Sequence, residues 1–180
     1  MRYNFSTIDS VADYYLDADR EAKSQAVLSR KARPEPPFGP QEALQQDNFS
    51  FSTKGVLRGL HFQHNPNGQG KLVRVMTGKA LDVVVDLRKD SPTFGQHEKF
   101  VLDAQKGNML YVPPGFAHGF IALEETIFVY KCTDFWNKGA ESGIRWNDPN
   151  LAIDWTHENP IISDKDQLLP LFDLNETIFN

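Results

Sequence analysis

Short apolar runs separated by turn residues recur from about residue 55 to 135, at 56–62, 71–77, 79–87, 98–103, 107–112, 117–123 and 126–133. Runs of this length, rich in β-branched and aromatic residues and bounded by Gly, Pro, Asn and Asp, are strand signals. Lys79-Ala-Leu-Asp-Val-Val-Val-Asp-Leu87 is the strongest, with turn residues at Gly78 and at Asp90-Ser-Pro-Thr-Phe-Gly95. Seven or more such strands must close or stack to bury their apolar faces and protect their edges, which predicts an all-β domain built as a jelly roll or barrel. A chain of 180 residues is about one domain long.

The flanks have a different texture. Ile8, Val11, Tyr15 and Ala18 recur at helical spacing after Asp9-Ser10, which predicts a helix over about 9–29. Arg33-Pro-Glu-Pro-Pro-Phe-Gly-Pro40 then removes backbone donors and ends the helix, leaving an extended connector. Beyond 135, Trp136, Trp146 and Trp155 with Asn147-Asp-Pro149 read as a loop-rich cover, followed by a last helical turn at Ser163-Asp-Lys-Asp166. The expected organisation is an N-terminal segment at 1–45, a core at 46–157 and a C-terminal segment at 158–180 that covers the site.

Charge narrows the function. A formal net charge of -5 and a pI near 5.5 provide no global basic field, so neither nucleic acid nor an anionic membrane is the expected partner. The single Cys132 excludes an internal disulfide framework, the start Met-Arg-Tyr-Asn-Phe lacks a signal-peptide run, and no stretch is apolar enough to span a bilayer. The cytoplasm is the expected compartment.

Basic groups gather early in the core. In Gly55-Val-Leu-Arg-Gly-Leu-His-Phe-Gln63, Arg58 and His61 lie three residues apart in an otherwise apolar strand. Alternation would put them on opposite faces, unless the backbone bulges at Gly59. Lys71 opens the next run. Gly107-Asn-Met-Leu-Tyr-Val-Pro-Pro-Gly-Phe-Ala-His118 resembles the second motif of cupins, double-stranded β-helices, and its Pro-Gly turn would aim His118 into the barrel mouth. The matching first motif offers only His61-Phe-Gln-His64, without the following glutamate, so no metal is expected.

Gly55–Gln63, Gln69-Gly-Lys-Leu-Val-Arg74, Asp82-Val-Val-Val-Asp-Leu-Arg88, Ser91-Pro-Thr-Phe-Gly-Gln96, Pro113-Pro-Gly-Phe-Ala-His-Gly-Phe120, Tyr130-Lys131 and Ile144-Arg-Trp-Asn-Asp-Pro149 together resemble the dTDP-4-dehydrorhamnose 3,5-epimerase family. The resemblance runs from about Gln46 to Asp166. It implies a cupin-like jelly roll, no cofactor, a homodimer, and a dTDP-linked 4-keto-6-deoxy sugar as substrate, inverted at C3 and C5 on the way to dTDP-L-rhamnose. Before Gln46 the chain lacks the Asp-x-Arg-Gly motif that usual members carry.

Protons on C3 and C5 are acidified by the C4 ketone, so inversion needs a base, an enolate stabiliser and an acid on the opposite face. The resemblance places the base at His61, whose residue type titrates near neutral pH, with Asp166 as its carboxylate partner. It places the acid at Tyr130 and positive charge for the enolate at Lys71. Arg58, His118, Gln46, Asn48, Lys165 and Phe135 are the implied substrate contacts. Structural roles compete: His61 as a strand histidine, Tyr130 as a core aromatic, and Asp166 as part of a helix start, since Ser163-x-x-Asp166 is a capping pattern. A single-carbon epimerase and an inactive sugar-nucleotide-binding relative are the competing functions.

Overall fold

The computed structural model describes residues 43–173 and 178–179. The helix expected over 9–29 and the proline-rich connector lie outside the described residues. Ten strands follow in order: β1 (Gln46–Ser52), β2 (Val56–Gln63), β3 (Lys71–Thr77), β4 (Lys79–Asp86), β5 (His97–Asp103), β6 (Met109–Val112), β7 (Phe116–Ala122), β8 (Thr126–Cys132), β9 (Glu141–Gly143) and β10 (Ile161–Ile162). One helical turn, α1 (Asp164–Gln167), comes after them. Every apolar run read as a strand is one, with ends shifted by at most a few residues. The strands not foreseen are β1, β9 and β10.

Two sheets face each other as a jelly roll. One has the order β1-β8-β3-β6; the other has the order β10-β2-β7-β4-β5, with β9 added beside β2. The pairings are antiparallel except that β10 runs parallel to β2.

The second sheet is covered on both faces. Its inner side meets the first sheet through Val84, Phe116 and Phe120, which pack with Val73, Val75 and Phe128. Its outer side is sealed by the C-terminal cover, where Ile144, Leu151, Trp155 and Phe172 pack on Leu57, Val83, Val85 and Ile121. Double coverage explains why β4 is buried from Ala80 to Asp86 and reads as a continuous apolar run rather than an alternating one. The cover is pinned by polar contacts too: Trp155 Nε1 donates to the Trp146 carbonyl at 2.8 Å.

At the end of β4 the buried Asp86 carboxylate accepts from Arg88, Ser91 and Thr93. The Asp90–Gly95 turn is thereby folded around one charge, and the Arg88 guanidinium also stacks over Phe116.

Candidate active site

The site is built around the irregularity at Gly59. Arg58 pairs with Phe120 of β7 and His61 pairs with His118, so the register shifts between them. Between these pairs, Gly59 and Leu60 of β2 oppose the single Gly119 of β7, which is a β-bulge. The extra residue resets the alternation: Leu57 and Leu60 point to the outer core, while Arg58 and His61 both line the inner cavity. Glycine is needed because Gly59 has φ +116 and a Cβ there would lie 2.7 Å from the Gly119 Cα.

Asp166 reaches this strand from 105 residues away. Its Oδ1 lies 2.8 Å from His61 Nε2, and its Oδ2 accepts from the Gly59 N–H at 3.1 Å. The carboxylate sits at the third helical position of α1, with Ser163 as N-cap accepting from the Asp166 N–H. The two readings of this segment therefore coexist: Ser163-x-x-Asp166 does start a helix, and its acidic side chain is turned onto β2 instead of back onto the cap. Burial pushes the Asp166 carboxyl up, but the hydrogen bond and charge of His61, the Gly59 N–H and Lys165 outweigh it and hold the carboxyl below the ordinary range. An ionised carboxylate only accepts, so Nε2 carries the proton and Nδ1 of His61 holds the free lone pair. His61 keeps 30% of its side chain accessible, against 5% for Asp166.

Lys71 and Tyr130 come from the opposite sheet. On the paired strands β3 and β8, Val73 faces Tyr130 and Lys71 faces Cys132, so the two functional side chains are diagonal neighbours on the inner face. Burial pushes the Lys71 ammonium down from its ordinary value, partly countered by Cys132, Asp82 and Glu141. Burial pushes the Tyr130 phenol up, so it is protonated throughout the physiological range. Two adjoining cavities, of about 370 and 310 Å³, share His61, Lys71, Tyr130 and Glu141 at their junction.

The cavities differ in chemistry. The second holds Arg58, His118 and Lys165, above a floor formed by the stacked rings of Phe120 and Phe128, 4.0 Å between centroids. There His118 Nε2 lies 2.9 Å from Asp82 Oδ2, and burial pushes the Asp82 carboxyl up despite His118 and Lys71. Arg58 is steadied by Ser52 Oγ and the Phe51 carbonyl. The first cavity is amide-rich, lined by Gln46, Asn48, Gln63 and Gln69, with Trp136 at its edge. Burial pushes the Cys132 thiol in its wall up, which makes it an inert lining group.

Of the residues picked out from sequence, His61, Asp166, Lys71, Tyr130, Arg58, His118, Gln46, Asn48 and Lys165 line one or both cavities. Phe135 does not: the neighbouring Trp136 faces the cavity, while Phe135 contributes a carbonyl to Gln63 Nε2. Adjacent side chains on an extended segment point apart, so only one of the two aromatics can face inward. Asp82 and Glu141 were not given roles from sequence. Glu141 lines both cavities and pairs with Lys165 at 2.8 Å. An acidic residue inside an apolar run was the available signal for Asp82; Glu141, in a three-residue strand, left none. Among the described residues no group of three or more His, Cys, Asp or Glu side chains is placed to hold a metal ion, and no helix is long and apolar enough to cross a membrane.

Known proteins share this architecture. The family model described as dTDP-4-dehydrorhamnose 3,5-epimerase matches residues 29–173, extending upstream of Gln46, where the resemblance read from motifs began. The chain is similar to the dTDP-4-dehydrorhamnose 3,5-epimerase of Shigella flexneri, 53% identical over 122 residues and 67% of each chain. It superposes with TM-score 0.71 on the Bacillus anthracis dTDP-4-dehydrorhamnose 3,5-epimerase solved with TDP and PPi bound, 50% identical over 73% of this chain and 76% of that one. With TM-score 0.70 it matches the Legionella pneumophila dTDP-6-deoxy-D-glucose-3,5-epimerase in complex with dTDP-4-keto-L-rhamnose, 47% identical over 74% and 71% of the two chains.

Proposed function

The chain belongs to the dTDP-4-dehydrorhamnose 3,5-epimerase family, and from that membership we propose a two-sided proton-transfer mechanism for its site. The enzyme is an isomerase of dTDP-rhamnose biosynthesis that converts dTDP-4-dehydro-6-deoxy-D-glucose to dTDP-4-dehydro-L-rhamnose by epimerisation at C3 and C5. One observation carries the mechanism: His61 and Tyr130 line the same cavities from opposite sheets. A sugar ring held between the sheets meets a base on one face and an acid on the other, which is what inversion at carbon requires.

His61 Nδ1 takes the proton from the carbon next to the ketone. Asp166 fixes the ring and stabilises the imidazolium as it forms. The electrons move into the C4 carbonyl, and the oxyanion of the enolate is met by the buried Lys71 ammonium, with His118, backed by Asp82, as a further donor. Tyr130 then returns a proton to the opposite face of the same carbon. Lys71, its ordinary basicity lowered by burial, is also a better proton donor to the enolate oxygen than a solvated lysine.

Arg58 and Lys165 supply charge for the diphosphate, and the amides of Gln46 and Asn48 hydrogen-bond the nucleotide sugar. Trp136, rather than the Phe135 named from sequence, is the aromatic placed at the cavity to contact the nucleotide. The cytoplasm suits the unpaired Cys132. A homodimer is supported by the outer face of the four-stranded sheet, where Phe49 and Phe51 are 77% and 52% exposed.

The test is proton NMR of dTDP-4-dehydro-6-deoxyglucose in deuterated water. The wild-type enzyme should exchange deuterium into C3 and C5, and His61→Asn should lower both rates by about 10²–10⁴-fold. Exchange that survives this substitution would remove His61 from the mechanism.

A further inference from the structure

We infer that Ser163 is a positioning residue for the epimerisation, its hydroxyl capping the α1 turn and thereby holding the Asp166 carboxylate against the His61 ring and the Gly59 N–H. The inference rests on the reading of His61 as the base, and goes beyond it by asking what keeps the carboxylate in place.

α1 has only four residues, Asp164–Gln167, far short of what forms a stable helix on its own. Apolar packing anchors its flanks, Ile162 on the outer core and Leu169 against Gly143, but not the turn itself. Asp166 is its only buried residue, and Leu168, directly after it, is 81% exposed. The turn is held by polar contacts: the Ser163 carbonyl accepts from Gln167 N–H at 3.0 Å, and Ser163 Oγ accepts from the Asp166 N–H at 3.1 Å. The second of these acts on the backbone of the residue whose side chain must be placed.

Its consequence is geometric. In a capping box the side chain at the third helical position turns back to the N-cap N–H. Here the Asp166 carboxylate is fully used elsewhere, one oxygen on His61 and the other on Gly59, and nothing from it returns to the cap. Ser163 Oγ alone ties the third-position N–H to the start of the helix. Upstream, Ile161 and Ile162 pair with Val56 and Leu57 of β2, so the cap spans the link between a segment registered on β2 and a carboxylate aimed at β2. The neighbouring Lys165–Glu141 ion pair joins an exposed lysine to a half-buried glutamate through two long side chains and does not touch the Asp166 backbone. Misplacing a catalytic group by about 1 Å costs on the order of 10²-fold in rate, so loosening this cap reaches the chemistry through Asp166.

The experiment compares Ser163→Ala with Ser163→Thr in the full-length protein, the second keeping an oxygen at the capping position. Ser163→Ala should lower kcat about 10- to 100-fold with KM within about twofold of wild type, and Ser163→Thr should recover most of the rate. In parallel, ¹⁵N NMR of the imidazole, assigned through His61→Asn, should show the Nε2–H signal shifted and broadened in Ser163→Ala but retained in Ser163→Thr. A wild-type kcat in Ser163→Ala, an equal loss in both variants, or an unaltered Nε2–H signal would each overturn the inference. If exchange proves independent of His61, the base assignment falls; the imidazole signal still reports separately whether Ser163 holds the pair.

Discussion

Lys71 lines both cavities with its ammonium partly desolvated by their walls, and this bears on how the enzyme responds to alkali. Burial lowers its pKa from the ordinary 10.5, whereas burial raises that of Tyr130 from 10.0. In the proposed mechanism the charged form of Lys71 stabilises the enolate, and that form is present only below its lowered pKa. As pH rises, the charge on Lys71 should therefore be lost below 10.5, whereas Tyr130 keeps its proton beyond 10.0. The kcat/KM profile should show an alkaline limb below 10.5, and Lys71→Arg, with a guanidinium that stays charged, should push that limb up at reduced overall rate. A limb that stays put in Lys71→Arg would assign it to another group. Lys71→Met should cost about 10²–10³-fold in kcat.

Two irregular elements shape the site, and each makes a prediction. The β2 bulge depends on Gly59: φ +116 disfavours any side chain, and a Cβ would press on Gly119 and on the His118 carbonyl. Gly59→Ala should destabilise the fold by about 1–3 kcal/mol and reduce activity further by moving His61 off Asp166, which thermal melts and kinetics together would reveal. The turn after β4 depends on Asp86. Burial raises its carboxyl pKa, but the hydrogen bonds from Arg88, Ser91 and Thr93 overcome this and leave it lowered. A carboxylate with a lowered folded pKa stabilises fully above its unfolded value, about 3.9, and that contribution is lost as pH falls below it. Asp86→Ala should cost about 3–5 kcal/mol at neutral pH by stranding the donors around it, and the gap between variant and wild type should narrow in acid. A denaturation series from about pH 5 down to about pH 2 would test this; a constant gap would refute the network's role.

At the scale of the molecule, the sandwich has two unlike walls around its cavities and, among the described residues, one apolar surface left uncovered. The second sheet is covered by the loop-rich segment after residue 135, but among the described residues the first presents Phe49, Phe51 and Met76 outward, with β1 at its edge. An apolar face beside a free edge calls for a partner. Light scattering after size exclusion should give twice the chain mass of 20.4 kDa, and Phe49→Asp with Phe51→Asp should shift the protein to monomer. A wild-type monomer would leave the exposed face unexplained and the homodimer rejected.

Most of the sandwich was legible in the chain, because apolar runs of strand length between turn residues can only be buried by stacking. β4 and β7 stood out since both their faces are covered. β1 escaped for a physical reason: its inner face lines a polar cavity, so Asn48, Ser50 and Ser52 point in while Phe49 and Phe51 point out, the reverse of the usual pattern. β9 and β10, of three and two residues, are too short to carry a period. Sequence motifs marked His61, Lys71, Tyr130 and Asp166 as chemical groups, and Gly59 as the position where the strand would have to bulge. Only the tertiary structure decided that they meet: closing 105 residues between His61 and Asp166, choosing Trp136 over Phe135, and setting His61 and Tyr130 on opposite walls are results of sheet registration and packing. Those forces act between residues distant in the chain and leave no local pattern in it.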